Sequence, residues 1–307
     1  MYPIPTAFKF MLLSASVLMA LAARPAQGHD ITNALLTSRA GNCADHVAHN
    51  SSKVVDVQNR VSFDGTVQIT AIGAQCILQS NGVPNHDFNA KGRFHDRVQT
   101  QSQRYTITAQ PRKANQPTAL SLTMDNAVFL NGVKLDLIAA GCHGVGDGRI
   151  GCNDMRSPYR YDPMAPTANF GTDEHNAHTQ PDGTYHYHGN PMALFEQKQP
   201  TQPSPVIGFA ADGFPIYGSF IQANGQLRKA RSSYQLKAGT RSGGPSGRYD
   251  GTFVDDWTYV AGSGDLDECN GMEQDGHYGY VVTDNYPHVM ACFRGTPDQS
   301  FSKRRPR

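Results

Sequence analysis

Asx-Gly dipeptides interrupt this chain again and again. Asp64-Gly65, Asn81-Gly82, Asn131-Gly132, Asp182-Gly183, Asp212-Gly213, Asn224-Gly225, Asp250-Gly251 and Asp275-Gly276 separate short runs of residues. Such dipeptides supply the positive φ angles of tight turns, so a chain punctuated this densely leaves little room for long helices. Between them Val54–Val57, Val61–Phe63, Val67–Ile72 and Arg104–Ala109 alternate apolar with polar residues, which is the period of a half-buried strand. The fold class expected is mostly β: a β-sandwich-like or irregular β-rich single domain with long loops, few short helices and disulfide staples.

The first 28 residues stand apart from that domain. A single cation, Lys9, precedes the apolar stretch Phe10–Ala23, which is too short to span a bilayer and reads as a secretion signal. Cleavage is expected at Ala22, Ala23 or Gly28, leaving a single domain over 29–302, a basic disordered tail at 303–307 and no transmembrane segment. The expected location is periplasmic or secreted. All six cysteines lie beyond the signal, and an even number in an oxidising compartment favours three disulfides. Proximity in sequence favours Cys142 with Cys152 and Cys269 with Cys292, which leaves Cys43 for Cys76. With a formal net charge of +1 over 307 residues, the chain lacks the basic footprint needed to neutralise nucleic-acid phosphates.

One segment is repeated. Asp173-Glu174, His178 and Asp182-Gly183-Thr184-Tyr185-His186-Tyr187-His188 run alongside Asp267-Glu268, Met272 and Asp275-Gly276-His277-Tyr278-Gly279-Tyr280-Val281 with a one-residue gap. Both tyrosines recur, whereas His178, His186 and His188 face Met272, Gly279 and Val281. The tyrosines therefore belong to a shared scaffold, and the three histidines are particular to the first copy.

Four of the twelve histidines, His175, His178, His186 and His188, fall in this first copy. Side chains two apart on a strand share a face, so Tyr185–His188 places both imidazoles on one side and both phenols on the other. A His-x-His pair can share one ion if a third ligand arrives from a neighbouring segment, and His178 is near enough across the Gln-Pro-Asp-Gly turn. Imidazole ligands suit a transition metal, zinc or copper ahead of iron or nickel. His86 and Asp212, each in a turn-like segment, are further candidates for the same cavity, His86 as a fourth metal ligand. Tyr185, Tyr187 and Asp212 are the candidate catalytic groups.

The segment Asn176–Pro191, with Ser80–His86, Asn131–Asp136, Gly208–Tyr217, Ser263–Gly271 and Cys292–Gly295, resembles the YHYH-domain family of exported bacterial proteins over roughly 75 to 300. The resemblance implies export and brings no activity with it. This chain departs from similar proteins at Gly279, where a second histidine-bearing Tyr motif is often kept. No G-x-S-x-G, H-E-x-x-H or P-loop occurs, which removes the familiar hydrolase and nucleotide readings. Three functions stay open. The first is an exported metal-binding protein, its site His178, His186 and His188, catalytic through a metal-activated water or serving metal handling. The second is a metal-free carbohydrate-active enzyme using Tyr and His as acid and base, and the third is a non-catalytic disulfide-stapled binding module. The expected ligand is a small molecule or glycan of unknown identity.

Overall fold

Period-two alternation produces the first sheet. In the computed structural model, which describes residue 1 and residues 28–146, 148–167 and 170–303, this sheet contains β1 (His29–Asp30), β2 (Ala48–Asp56), β3 (Val61–Ile72), β4 (Gln75–Ser80) and β5 (Gln103–Thr108) in that order. All neighbours are antiparallel except β1 beside β2. Every second residue is buried in the middle of the long strands: Ser52, Val54 and Asp56 on β2, and Gly65, Val67 and Ile69 on β3. Asp64-Gly65 is thus a strand pair and not a turn. Gly65 lies opposite Ser52, and a Cβ there would collide with the serine hydroxyl. Of the secretion signal read from the sequence over 1–28, residues 2–27 lie outside the described residues.

The second sheet carries the site. It joins β7 (Ala127–Phe129), β8 (Lys134–Leu135), β9 (Ala177–Thr179), β10 (Tyr185–Tyr187), β11 (Val206–Ala210), β12 (Pro215–Tyr217), β17 (Gly271–Gln274) and β18 (His277–Val281) in the order β17-β18-β12-β11-β7-β8-β10-β9. Three ribbons complete the strands: β6 (Thr118–Ala119) with β19 (Cys292–Phe293), β13 (Phe220–Ala223) with β14 (Gln226–Lys229), and β15 (Tyr234–Leu236) with β16 (Trp257–Tyr259). Among the described residues the only helices are 3-10 turns at Cys43–His46, Val254–Asp256 and Gln299–Phe301.

The eight-stranded sheet repeats itself about its centre. There β7 and β11 pair through Val128 with Phe209, Phe129 with Gly208 and Ala127 with Ala210. Outward on each side comes the same plan. The hairpin β7-β8 or β11-β12 turns at Asn131-Gly132 or Asp212-Gly213, with both glycines at φ 86°. A parallel strand follows, β10 or β18, and it closes an antiparallel hairpin with β9 or β17. The repeat read from the Tyr motifs is therefore one part of an approximate two-fold relation covering the whole sheet.

One apolar core contains side chains of both sheets, Val67, Leu78 and Ile107 from the first and Phe129, Tyr185 and Phe209 from the second. Elements of the second sheet are covered on both faces, so every residue of β11 is buried. The fold is β-rich and disulfide-stapled, as expected: Cys43 pairs with Cys76, Cys142 with Cys152 and Cys269 with Cys292. Three bridges fit an oxidising compartment. No helix of the described residues is long and apolar enough to cross a membrane. Lys303, read as the start of a free tail, is held in place, its Nζ 2.5 Å from Asp136 Oδ2 and 3.9 Å from Asp125 Oδ1; residues 304–307 lie outside the described residues.

Candidate metal centre

Strand alternation sorts the Tyr-His-Tyr-His segment into two chemistries. On one face Tyr185 donates to Asp173 Oδ2 at 2.9 Å, while the Tyr187 hydroxyl meets His86 Nε2 at 2.7 Å and Asn131 Nδ2 at 3.1 Å. Both phenols are fully buried, and burial raises both pKa values above the ordinary tyrosine range. The opposite face holds His186 and His188, 2 % and 4 % exposed. His178 stands directly across the hairpin from His186 in the β9-β10 register, which brings it to the same face.

The three rings converge through their Nε2 atoms. His188 Nε2 lies 2.9 Å from His178 Nε2 and 3.0 Å from His186 Nε2, and one ligand atom from each residue falls within 4.8 Å of the others. A tetrahedral ion with metal–nitrogen bonds of about 2.0–2.1 Å spaces its ligands about 3.3 Å apart, close to this arrangement. The outer nitrogens account for the tautomers. His178 Nδ1 donates to Phe170 O at 2.6 Å and His186 Nδ1 to Thr184 O at 3.3 Å, so both Nε2 atoms present lone pairs. A neutral His188 has one Nε2 proton at most, and it can satisfy only one of them. A cation among the three nitrogens turns every lone pair into a ligand, and backbone carbonyls orient the rings as metal-bound histidines require. His188 Nδ1 is buried with no partner among the described residues.

Burial lowers all three pKa values. His178 falls below the ordinary histidine value through burial. His186 and His188 fall well below it, first through burial and then through the neighbouring imidazoles, with Lys134 adding to the effect. The rings are therefore neutral at pH 7, the form that binds a metal.

Other predicted groups stand elsewhere. His86 is not brought to the three rings, because it bonds Tyr187 on the opposite face of β10 and its Nδ1 contacts Asp87 O at 2.9 Å. His175 packs against His86 with ring centroids 3.9 Å apart. Asp212, 1 % exposed, belongs to the other half of the sheet, where it accepts from Tyr280 at 2.6 Å and from the Gly295 amide at 2.8 Å.

Several residues near the centre carried no local signal in the sequence. Register places Lys134 beside His186 on β8, and two positions on, Asp136 shares that face. Asp136 is 3 % exposed; its Oδ2 accepts from Gln180 at 2.8 Å and from Lys303, its Oδ1 is buried without a partner among the described residues, and its charge acts on His178. Alternation in Lys134-Leu135-Asp136, charge on one side and an apolar residue on the other, is the signal that could have marked this strand.

The second half of the sheet shows what scaffold and site each require. Tyr278 donates to Asp267 Oδ2 at 2.9 Å as Tyr185 does to Asp173, and Tyr280 meets Asp212 where Tyr187 meets Asn131. Asn176 and Asn270 both adopt positive φ, 63° and 67°, and their carbonyls accept from His188 and Val281. In the places of the histidines stand Met272, Gly279 and Val281. Tyr217, register-equivalent to Asp136, takes up the vacated room, since a Cβ at Gly279 would come within 2.5 Å of its ring.

With that geometry in view, the family comparison is decisive: the family model described as YHYH protein matches residues 104–295. The chain belongs to the YHYH protein family. The matched span takes in the whole eight-stranded sheet and the converging histidines, and the family's name spells Tyr185–His188. Most of the five-stranded sheet precedes the YHYH match. No curated protein and no solved structure matches the chain.

Proposed function

We propose that this YHYH protein is an exported metal-binding protein whose ion, zinc or copper, sits on the Nε2 atoms of His178, His186 and His188. The observation that carries the reading is the meeting of those three nitrogens at 2.9 and 3.0 Å while carbonyl oxygens hold the outer nitrogens of two rings. An ion with three imidazole ligands supplies Lewis acidity at an open coordination position and lowers the pKa of water there. The surrounding residues suit that chemistry. Asp136 offers an unpartnered buried carboxylate oxygen beside His178, able to accept a proton or a hydrogen bond. Lys134, paired with Asp125 at 2.9 Å, and Lys303 hold the local charge in balance.

A binding module without chemistry is the second reading, favoured by a cleft of about 520 Å³ whose wall includes Trp257, Tyr234 and Arg231. The buried phenols of Tyr185 and Tyr187 lend no support to tyrosine acid-base catalysis, because scaffold partners already occupy their hydroxyls. Elemental analysis of untagged protein from a periplasmic fraction tests the metal reading. Wild type and the exposed-site variant His277→Ala should carry stoichiometric zinc or copper, and His186→Ala or His188→Ala should carry none while keeping the fold. Equal metal content in wild type and His186→Ala would overturn it.

A further inference from the structure

A smaller cavity of about 150 Å³ opens beside the three-imidazole centre, lined by Met164, Met192, His288, Asn176, Asn190, Thr283 and Asp284. Its polar walls are largely engaged. Asn176 Nδ2 donates to Asn190 O at 2.8 Å, the Asn190 amide exchanges hydrogen bonds with Gln197, and Asp284 pairs with Lys229 at 2.8 Å. Beside these groups the cavity wall carries two thioethers and an imidazole.

That imidazole is prepared as a ligand. His288 Nε2 lies 3.0 Å from Asp162 Oδ2, and the carboxylate is nearly inaccessible, its side chain 4 % exposed. A carboxylate on one ring nitrogen fixes the tautomer and leaves the other nitrogen as a lone pair, the arrangement that metal-binding histidines share. No hydrogen bond among the described residues reaches His288 Nδ1. The same carboxylate positions a second wall residue, because the Met164 amide donates to Asp162 Oδ1 at 2.9 Å. His288 also adopts φ 66°, a left-handed backbone uncommon outside glycine and concentrated at functional sites. Met164 packs against Gly189, the residue after His188, where a Cβ would meet its Sδ at 3.4 Å. The two sites are neighbours.

Thioether sulfur is a soft donor that favours Cu(I) over hard divalent ions. The cavity has room for an ion with a few water molecules. We infer that Met164, Met192 and His288 form a second metal site, selective for a soft monovalent cation such as Cu(I), adjoining the three-imidazole centre. Met192, 38 % exposed, opens this site to solvent. The proposal does not require the neighbouring centre to hold an ion.

Anaerobic titration of the full protein with Cu(I), against a chromophoric Cu(I) chelator and with saturating Zn(II) present, tests it. Wild type and His186→Ala/His188→Ala should each take Cu(I) at this cavity. Met164→Leu/Met192→Leu should lose that equivalent yet bind Zn(II) as before, and Asp162→Asn should weaken Cu(I) binding about ten-fold or more. To cover a variant that fails to fold, wild type labelled at its methionine methyl groups is titrated with Ag(I), which should move the Met164 and Met192 resonances first. The assignment is overturned if wild type takes no Cu(I), if the methionine double variant binds it like wild type, or if only His186→Ala/His188→Ala loses it. Methyl resonances of Met164 and Met192 that stay unmoved by Ag(I) overturn it equally.

Discussion

Acidification should destabilise this protein through its buried imidazoles, and a bound ion should change the response in a defined way. In an unfolded chain histidine takes up its proton near pH 6.5. In the fold, burial holds His178, His186 and His188 below that value and holds His86 down to about 3. Below pH 6.5 the unfolded state therefore binds more protons than the folded one, so stability is fully present above 6.5 and falls as pH drops toward the depressed values. At about pH 5, roughly 1.5 pH units lower, each ring kept neutral costs about 2 kcal/mol, because one pKa unit corresponds to about 1.4 kcal/mol. Four such rings set an upper limit of about 8 kcal/mol, a large share of the roughly 5–15 kcal/mol that stabilises a typical domain. An ion on the three Nε2 atoms must leave before they can protonate, and at a free concentration about 100 times its Kd it adds about 2.7 kcal/mol. Calorimetric unfolding between about pH 7.5 and pH 5, with chelator or with zinc, reads these terms directly. The chelated protein should lose Tm steeply toward the acid end. Zinc should raise Tm near neutrality, and its effect should fade on acidification. In His186→Ala/His188→Ala the acid slope should fall by about half and the zinc effect should vanish. A chelated wild type whose Tm stays flat across the range would refute the reasoning.

The equivalent tyrosine–aspartate pairs should behave alike: Tyr185→Phe and Tyr278→Phe should each cost about 1.5–3 kcal/mol in urea unfolding, as loss of a hydrogen bond to a charged group does. Gly279→Ala should destabilise by about 1–3 kcal/mol through overpacking against Tyr217, also read by urea unfolding, and an unchanged midpoint would mean the ring has room to move. Alkylation without reduction should add no mass at any of the six cysteines, and reduction should cost about 2–5 kcal/mol per structural bridge, measured by unfolding with and without reductant.

What the sequence displayed depended on how local each feature is. Alternation revealed β2, β3 and β5 because one face of those strands is largely exposed, and exposure is what makes a strand alternate. Val206–Ala210 is buried on both faces, so it has no alternation to read. The parallel pairing of β10 with β8 joins residues about fifty apart and leaves no local trace. For the same reason the three converging histidines were legible, since all of them lie within one hairpin, whereas Asp136, Lys303, Asp162 and His288 reach the neighbourhood from distant segments. The repeat was only half visible. Its Tyr hairpins share several residues, but Asn131-Gly-Val-Lys-Leu135 and Asp212-Gly-Phe-Pro-Ile216 share little beyond an Asx-Gly turn, and only the register shows that they correspond.

The second half of the eight-stranded sheet is a record of substitutions the scaffold has already accepted. It keeps the carboxylate under the first tyrosine, the left-handed asparagine and both phenols, and it holds methionine, glycine and valine where the first half holds imidazoles. Replacing those three histidines is thus compatible with this local architecture, provided that something like Tyr217 fills the space left behind. A related chain can therefore lose the three-imidazole cluster and retain the fold, the disulfides and both tyrosines, and overall similarity would not reveal the loss. For any relative, membership of the family speaks to the scaffold. Residues corresponding to His178, His186 and His188 speak to the chemistry, and they have to be inspected one by one.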